Sequence, residues 1–189
     1  PGVMTKISHA AALHKPIDGH APGLMGEQAA TYAAAGITTD HECVTLSEAI
    51  GKIAVGMKIL IREGSAAKNF DALFPLIDRY PGCTMFCSDD KHPDDLLHSH
   101  IDELVRRALA AGADLYNVLT TACITPVKHY RLPVGLLAIG EPADFQIVNN
   151  LTDFKNVETV IEGKTVSQRG VTNIRSFDCE SINRFDCQP

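Results

Sequence analysis

The sequence has no basic run, no long apolar stretch and no Cys-x-x-Cys pair, and each absence closes a class of function. Without clustered lysines and arginines, and with a net charge of −6 over 189 residues, it lacks the electrostatic footprint of a nucleic-acid binder. No segment reaches the roughly 18 apolar residues that a membrane-crossing helix needs. Residues 1–15 lack the charged-then-apolar form of a signal peptide, which points to a cytoplasmic protein. The six cysteines, Cys43, Cys83, Cys87, Cys123, Cys179 and Cys187, are scattered through apolar runs. That usage suits reduced thiols, several of them in the core. Cys83 and Cys87 have an odd spacing for zinc ligands on a strand. Neither a repeat nor a low-complexity tract is evident.

What is present is a globular composition, 45% hydrophobic, enough for one domain or one and a small second. The first 13 residues read as loose, or as a lead into a strand. A strand–helix alternation follows. Residues 15–18 read as a short strand, and the Ala-rich residues 24–35 as a helix stopped by Gly36. A second strand is expected at 37–40. Thr45 and Glu48 form a capping-box pattern for a helix to about Ala54. A third strand is expected at 57–61. Asn69 reads as the cap of an amphipathic helix through Tyr80, with Phe70, Leu73, Phe74 and Ile77 on one face. Residues 83–87 read as a fourth strand. Helices are expected at about 100–111 and 114–123, with a further turn after Pro126. Beyond Leu132 the pattern becomes β-rich: strands at 143–148 and 157–161, then a turn at Glu162-Gly163-Lys164 into Thr165-Val166. This places a domain change near Leu137, dividing residues 1–136 from 137–189. Four βα units in residues 14–112 are half of an eight-unit barrel, which needs about 250 residues. Either four strands are absent or the sheet is open, with an edge able to pair.

Three of these strand ends finish in metal-ligand types. Asp18-Gly19-His20-Ala21-Pro22-Gly23 turns sharply at its glycines, so that His20 is either aimed at the strand rim or left on a surface loop. Imidazole there suits zinc, iron or manganese. Asp40-His41-Glu42 allows one parity to face the rim, leaving Asp40 or Glu42 to the wall or to the ring's other nitrogen. Arg62-Glu63-Gly64-Ser65 offers groups for a polar substrate, or ion pairs within the wall. Ser88-Asp89-Asp90-Lys91-His92-Pro93-Asp94-Asp95 is the densest stretch. Asp89 at a strand end is a candidate metal ligand and proton acceptor, Asp90, Lys91 and His92 are candidates for shaping a loop, and the run from His92 reads alternatively as the acidic start of a helix. The His98-x-His100 pair lies where side chains two apart diverge, which favours solvated or capping roles.

Taken together, these four motifs resemble, in order and spacing, those of the bacterial adenine deaminases, a family within the metal-dependent amidohydrolases. The resemblance runs over residues 14–166. It includes the Gly140–Phe145 segment, where Glu141-Pro142 precedes Ala143-Asp144, and the Gly163-Lys164-Thr165-Val166 hairpin. It implies the C-terminal half of a (β/α)₈ amidohydrolase barrel followed by a small β-rich segment. It assigns His20, His41 and Asp89 as metal ligands, with manganese, iron or zinc as cofactor, and Asp89 as the catalytic proton shuttle. Arg62, Glu63, Ser65, Asp90 and His92 are implied to bind a purine base. The implied reaction is hydrolysis of adenine to hypoxanthine and ammonia through metal-bound hydroxide. The family's His-x-His on the first strand and its ligand on the fourth have no counterpart here. The chain therefore resembles an internal piece with about half the ligands, expected to be inactive alone. A homo-oligomer is expected, with neither nucleic acid nor membrane as partner. The other readings are a dihydroorotase- or hydantoinase-like hydrolase of cyclic amides, and a non-catalytic self-associating module.

Overall fold

The computed structural model describes residues 2–178. At its centre is a parallel sheet of three strands in sequence order, β1 (Thr39–Asp40), β2 (Lys58–Arg62) and β3 (Thr84–Cys87). Around it run α1 (Val3–Ala12), α2 (Gly26–Ala34), α3 (Leu46–Ala54), α4 (Phe70–Leu73), α5 (Leu76–Arg79), α6 (Pro93–Leu96), α7 (Ile101–Ala110), α8 (Leu115–Leu119) and α9 (Thr125–Tyr130). Four antiparallel strands follow: β4 (Phe145–Val148), β5 (Asn156–Ile161), β6 (Lys164–Gln168) and β7 (Val171–Thr172). This is an α/β fold with a separate small antiparallel sheet. Among the described residues no helix is long and apolar enough to cross a membrane.

Strand alternation decides which face of β2 is packed. Ile59 and Ile61 are fully buried, in one cluster with Leu73, Leu76, Ile77, Leu104 and Val118 from the helices. Each such isoleucine contributes about 1.5–3 kcal/mol by leaving water. Lys58, Leu60 and Arg62 lie on the other face and are half-buried. Arg62 thus points away from the helical layer at the C-terminal end of its strand, and β3 sets Cys87 beside it.

Local chemistry explains several helix limits. Thr45 caps α3 by accepting from the Glu48 amide at 3.2 Å. Glu48 does not complete the reciprocal bond; its carboxylate turns to the amides of Gly23 and Val44. Gly36, at φ 96°, ends α2 in the left-handed conformation and donates to Ala33. Asp114 caps α8 through the amides of Tyr116 and Asn117. The antiparallel sheet turns at Glu162-Gly163 and at Arg169-Gly170, both pairs at positive φ, the geometry that matches strand twist in two-residue hairpins.

Five expectations are corrected. The first 13 residues are not loose: residues 3–12 form a helix that buries none of its side chains. Residues 15–18 form no strand; Ile17 takes a single backbone bond, from Thr38 at 2.8 Å. Asn69 does not cap a helix with its side chain. It accepts from the Arg62 amide at 2.8 Å and donates to the carbonyls of His41 and Cys43. The helix expected from Asn69 to Tyr80 is broken into α4 and α5, because Pro75 has no N–H to continue the ladder. Finally, the helix expected to end at 123 continues through a π-turn at Thr120–Ile124 into α9. The shifted register leaves Pro126 in a first helical turn, where a missing donor costs nothing. Cys179, Cys187 and the Asn183–Asp186 stretch lie outside the described residues.

Candidate metal centre

The segment carrying His20 has no regular structure of its own and is fixed by its neighbours. Gly19 lies so close to β1 that a Cβ there would sit 2.2 Å from the Thr39 carbonyl oxygen. Only glycine allows this approach. The Gly19 amide donates to Thr39 Oγ1, whose hydroxyl donates to Asp18. The His20 amide donates to Tyr32 Oη at 3.0 Å. The His20 ring itself is largely open to solvent, with 70% of its side chain exposed.

Beyond β1 the chain splits its ionisable groups between two sides. Asp40 turns inward and is wholly buried against Lys52. His41 and Glu42 turn toward His20, held from behind by the Asn69 amide. His20 Nδ1 lies 3.2 Å from His41 Nε2. Glu42 Oε1 lies 3.1 Å from the first and 3.3 Å from the second. Atoms bonded to one ion at about 2.0–2.2 Å stand roughly 2.8–3.6 Å from each other at octahedral or tetrahedral angles. Two imidazole nitrogens and a carboxylate oxygen at these separations fit three ligands of a zinc, iron or manganese ion. Glu42, read from sequence as wall or outer support, is the third donor of this set.

Arg62 links the set to Asp89. Its Nη1 donates to Glu42 Oε1 at 2.7 Å and to Asp89 Oδ2 at 2.9 Å, and its Nη2 to Glu42 Oε2 at 2.8 Å. Burial works against the guanidinium charge, but Glu42 and Asp89 more than offset it and hold its pKa above the ordinary value. Asp89 adopts φ 44°, a conformation that Asp tolerates better than most residues. Among the described residues it is not part of the three-donor cluster; it adjoins that cluster through Arg62. Beside them, burial and the Asp89 charge push the Cys87 thiol up to about 12, and among the described residues it is not part of the three-donor cluster.

The remaining candidates form the wall and the neighbouring loops. Glu63 is buried, with Arg107 at 2.6 Å and the Phe70 amide at 3.3 Å, so it serves the wall, the second of its two sequence readings. Ser65, Asp90 and His92 join two loops to each other. The His92 amide donates to Ser65 Oγ, which donates to Asp95, while Asp90 accepts from the Ala66 amide. His100 is the N-cap residue of α7, and neither it nor His98 belongs to the three-donor cluster among the described residues.

Sequence reasoning passed over Lys52. It lies on the buried face of α3 with Glu48 and Ala49, and Glu48-x-x-x-Lys52 is the spacing at which opposite charges meet on a helix. A second trio of possible donors, Asp40, Cys43 and Glu48, is held by this ammonium and is an ion-pair network.

A parallel sheet with His41 and Glu42 just beyond one strand and His20 on the adjoining loop is an arrangement that suits the metal-dependent hydrolases. The chain belongs to the amidohydrolase family, whose sequence profile matches residues 2–166. Its curated relatives include adenine deaminases. That of Salinibacter ruber is 56% identical over 189 residues, all of this chain and 35% of the relative. That of Methanosarcina mazei is 54% identical over 171 residues, 90% of this chain and 31% of the relative. The chain thus spans about a third of the length of the relatives it matches. Solved structures with the same fold include N-acetyl-D-glucosamine-6-phosphate deacetylase from Mycobacterium smegmatis, with TM-score 0.64 and 17% identity over 88% of this chain and 52% of that one. A β-aspartyl dipeptidase from Fervidobacterium islandicum AW-1 matches with TM-score 0.59 and 19% identity, over 74% of this chain and 40% of that one.

Proposed function

We propose that the chain is the metal-binding and proton-transfer portion of an adenine deaminase, which hydrolyses adenine to hypoxanthine and ammonia. The observation that carries this is the convergence of His20, His41 and Glu42 within 3.3 Å of one another, with Asp89 joined to them through Arg62. The identity to adenine deaminases supports adenine as the substrate. In this reading the parallel sheet is one arc of a (β/α)₈ barrel, residues 1–136 belong to that barrel, and residues 137–189 to a small β-rich domain. The barrel's other strands extend the open edges.

His20 and His41 hold a divalent ion with Glu42, and Asp89 completes the site from the far side of Arg62. Manganese, iron and zinc all suit imidazole and carboxylate donors. When bound, such an ion acts as a Lewis acid and makes water nucleophilic near neutral pH. Arg62 keeps Glu42 and Asp89 in place and favours their charged forms. Its bond occupies Asp89 Oδ2, leaving Oδ1 to take a proton from the attacking water and deliver it to the departing amine. Arg62 approaches the substrate only through these carboxylates, and Ser65, Asp90 and His92 form the rim over which a flat purine enters.

The test is complementation. The chain alone should turn over no adenine. Combined with the remaining two thirds of a deaminase such as that of Salinibacter ruber, it should restore metal-dependent hypoxanthine formation, and the His41→Ala chain should not. Restored hydrolysis of a hydantoin but not of adenine would replace this reading with a cyclic-amide hydrolase.

A further inference from the structure

Lys52 is fully enclosed, with none of its side chain exposed. Its ammonium has three donors and meets three acceptors: the Ala21 carbonyl at 2.6 Å, Glu48 Oε1 at 2.7 Å and Asp40 Oδ2 at 2.8 Å. The same carboxylates reach past the lysine to the loop. Asp40 Oδ1 accepts from the Ala21 amide at 2.8 Å, and Glu48 Oε1 accepts from the Gly23 amide at 2.8 Å. Both backbone groups of the residue after His20 therefore end in one buried ion-pair network, and the amide two residues further does too. No strand ladder supports residues 20–23, so this network takes the place of one.

We infer that Lys52 is a positioning residue for the metal centre: by pinning the Ala21 carbonyl and the two carboxylates that hold Ala21 and Gly23, it sets where His20 stands relative to His41 and Glu42. The inference rests on the reading of that cluster as a metal site. Core stability alone does not account for the arrangement. A buried ion pair can often be exchanged for apolar side chains of like volume without loss, and an apolar residue at 52 would fill α3's packed face. What it would not do is replace the 2.6 Å bond to the carbonyl of buried Ala21, which would keep only the longer bond from the Leu24 amide at 3.3 Å. Asp40 connects the network to the centre a second way, since it directly precedes His41 in the chain.

The experiment compares the 189-residue chain with Lys52→Met and with Lys52→Met/Glu48→Gln, which removes one of the carboxylate charges left unpaired. Cobalt(II) is titrated into each and followed by its visible absorption, and amide hydrogen exchange is recorded on the metal-free proteins. The expected result is cobalt binding weakened by about tenfold or more, with faster exchange at Ala21 and Gly23 and unchanged protection in β2 and β3. Cobalt affinity within twofold of the parent overturns the inference. So does loss of protection throughout β2 and β3 in both variants, which would make the network a support of the whole core. A parent chain that takes up no cobalt sinks the metal-site reading instead, and the exchange at Ala21 and Gly23 then decides whether Lys52 orders the loop.

Discussion

His41 stands between a side chain that went inward and one that went outward, and it shows how much a single residue can reveal. The tripeptide Asp40-His41-Glu42 announced a strand end with ligand chemistry, and His20 after Gly19 announced a second. The role of Glu42 was not legible, because strand parity sends alternate residues to opposite faces, whereas the strand has already ended at Asp40 and His41 and Glu42 turn the same way. Asp89 was legible as a strand-end acid, but its bond to Arg62 is a contact across strands that no spacing encodes. Removing a donor should show directly: His41→Ala should weaken zinc or cobalt binding by at least about tenfold, measured by titration calorimetry, with the far-ultraviolet circular dichroism unchanged. Gly19→Ala should act at a distance from any ligand. Its methyl meets the Thr39 carbonyl, so the loop must shift, and cobalt affinity should fall although every donor remains. Ile59→Ala should leave metal binding alone and cost about 2–5 kcal/mol of stability, read from the urea midpoint at constant slope.

Helix ends were read well where a side chain does one job and poorly where it does another. Thr45 and Gly36 act within their own turns, so the sequence suffices, and Thr45→Ala should cost about 1 kcal/mol in the same urea measurement. Asn69 has the same capping chemistry as Thr45, but its amide serves two neighbouring strand ends, a competition decided by tertiary packing. Pro75 interrupts an apolar face that runs on through residues 70–77, so the face alone does not reveal the break. In the small sheet, Asp144 accepts from the amides of Gly135 and Glu162 at 2.7 Å each. These bonds hold its carboxyl below the usual carboxylate value. A pKa depressed on folding means stability that is present above the ordinary carboxylate value and lost as pH falls through the folded one. Exchange at the Gly135 and Glu162 amides should accelerate as pH drops below about 4, after correction for intrinsic rates. Asp144→Asn should remove that acid-dependent step.

At the scale of the molecule, the alternation of strands and helices was legible because each βα unit carries its own period and its own stop. The strand expected at residues 15–18 failed for want of a partner: its neighbour β1 is two residues long, and the one backbone bond to it comes from Thr38 just before β1. Apolar residues alone did not say so, because strands exist only in pairs. The opening helix was missed for the opposite reason. Val3, Met4 and Ile7 are spaced for a helical stripe, yet among the described residues it is poorly covered, with 70% of Val3 and 62% of Met4 exposed. Ten residues are too few to hold a helix on local bonds alone in water. In the isolated chain its amides should exchange almost as fast as those of a free peptide, and they should slow once another surface covers that stripe. The first helix is thus a built-in gauge of contact, its amide exchange reporting whether a second surface has covered Val3 and Met4.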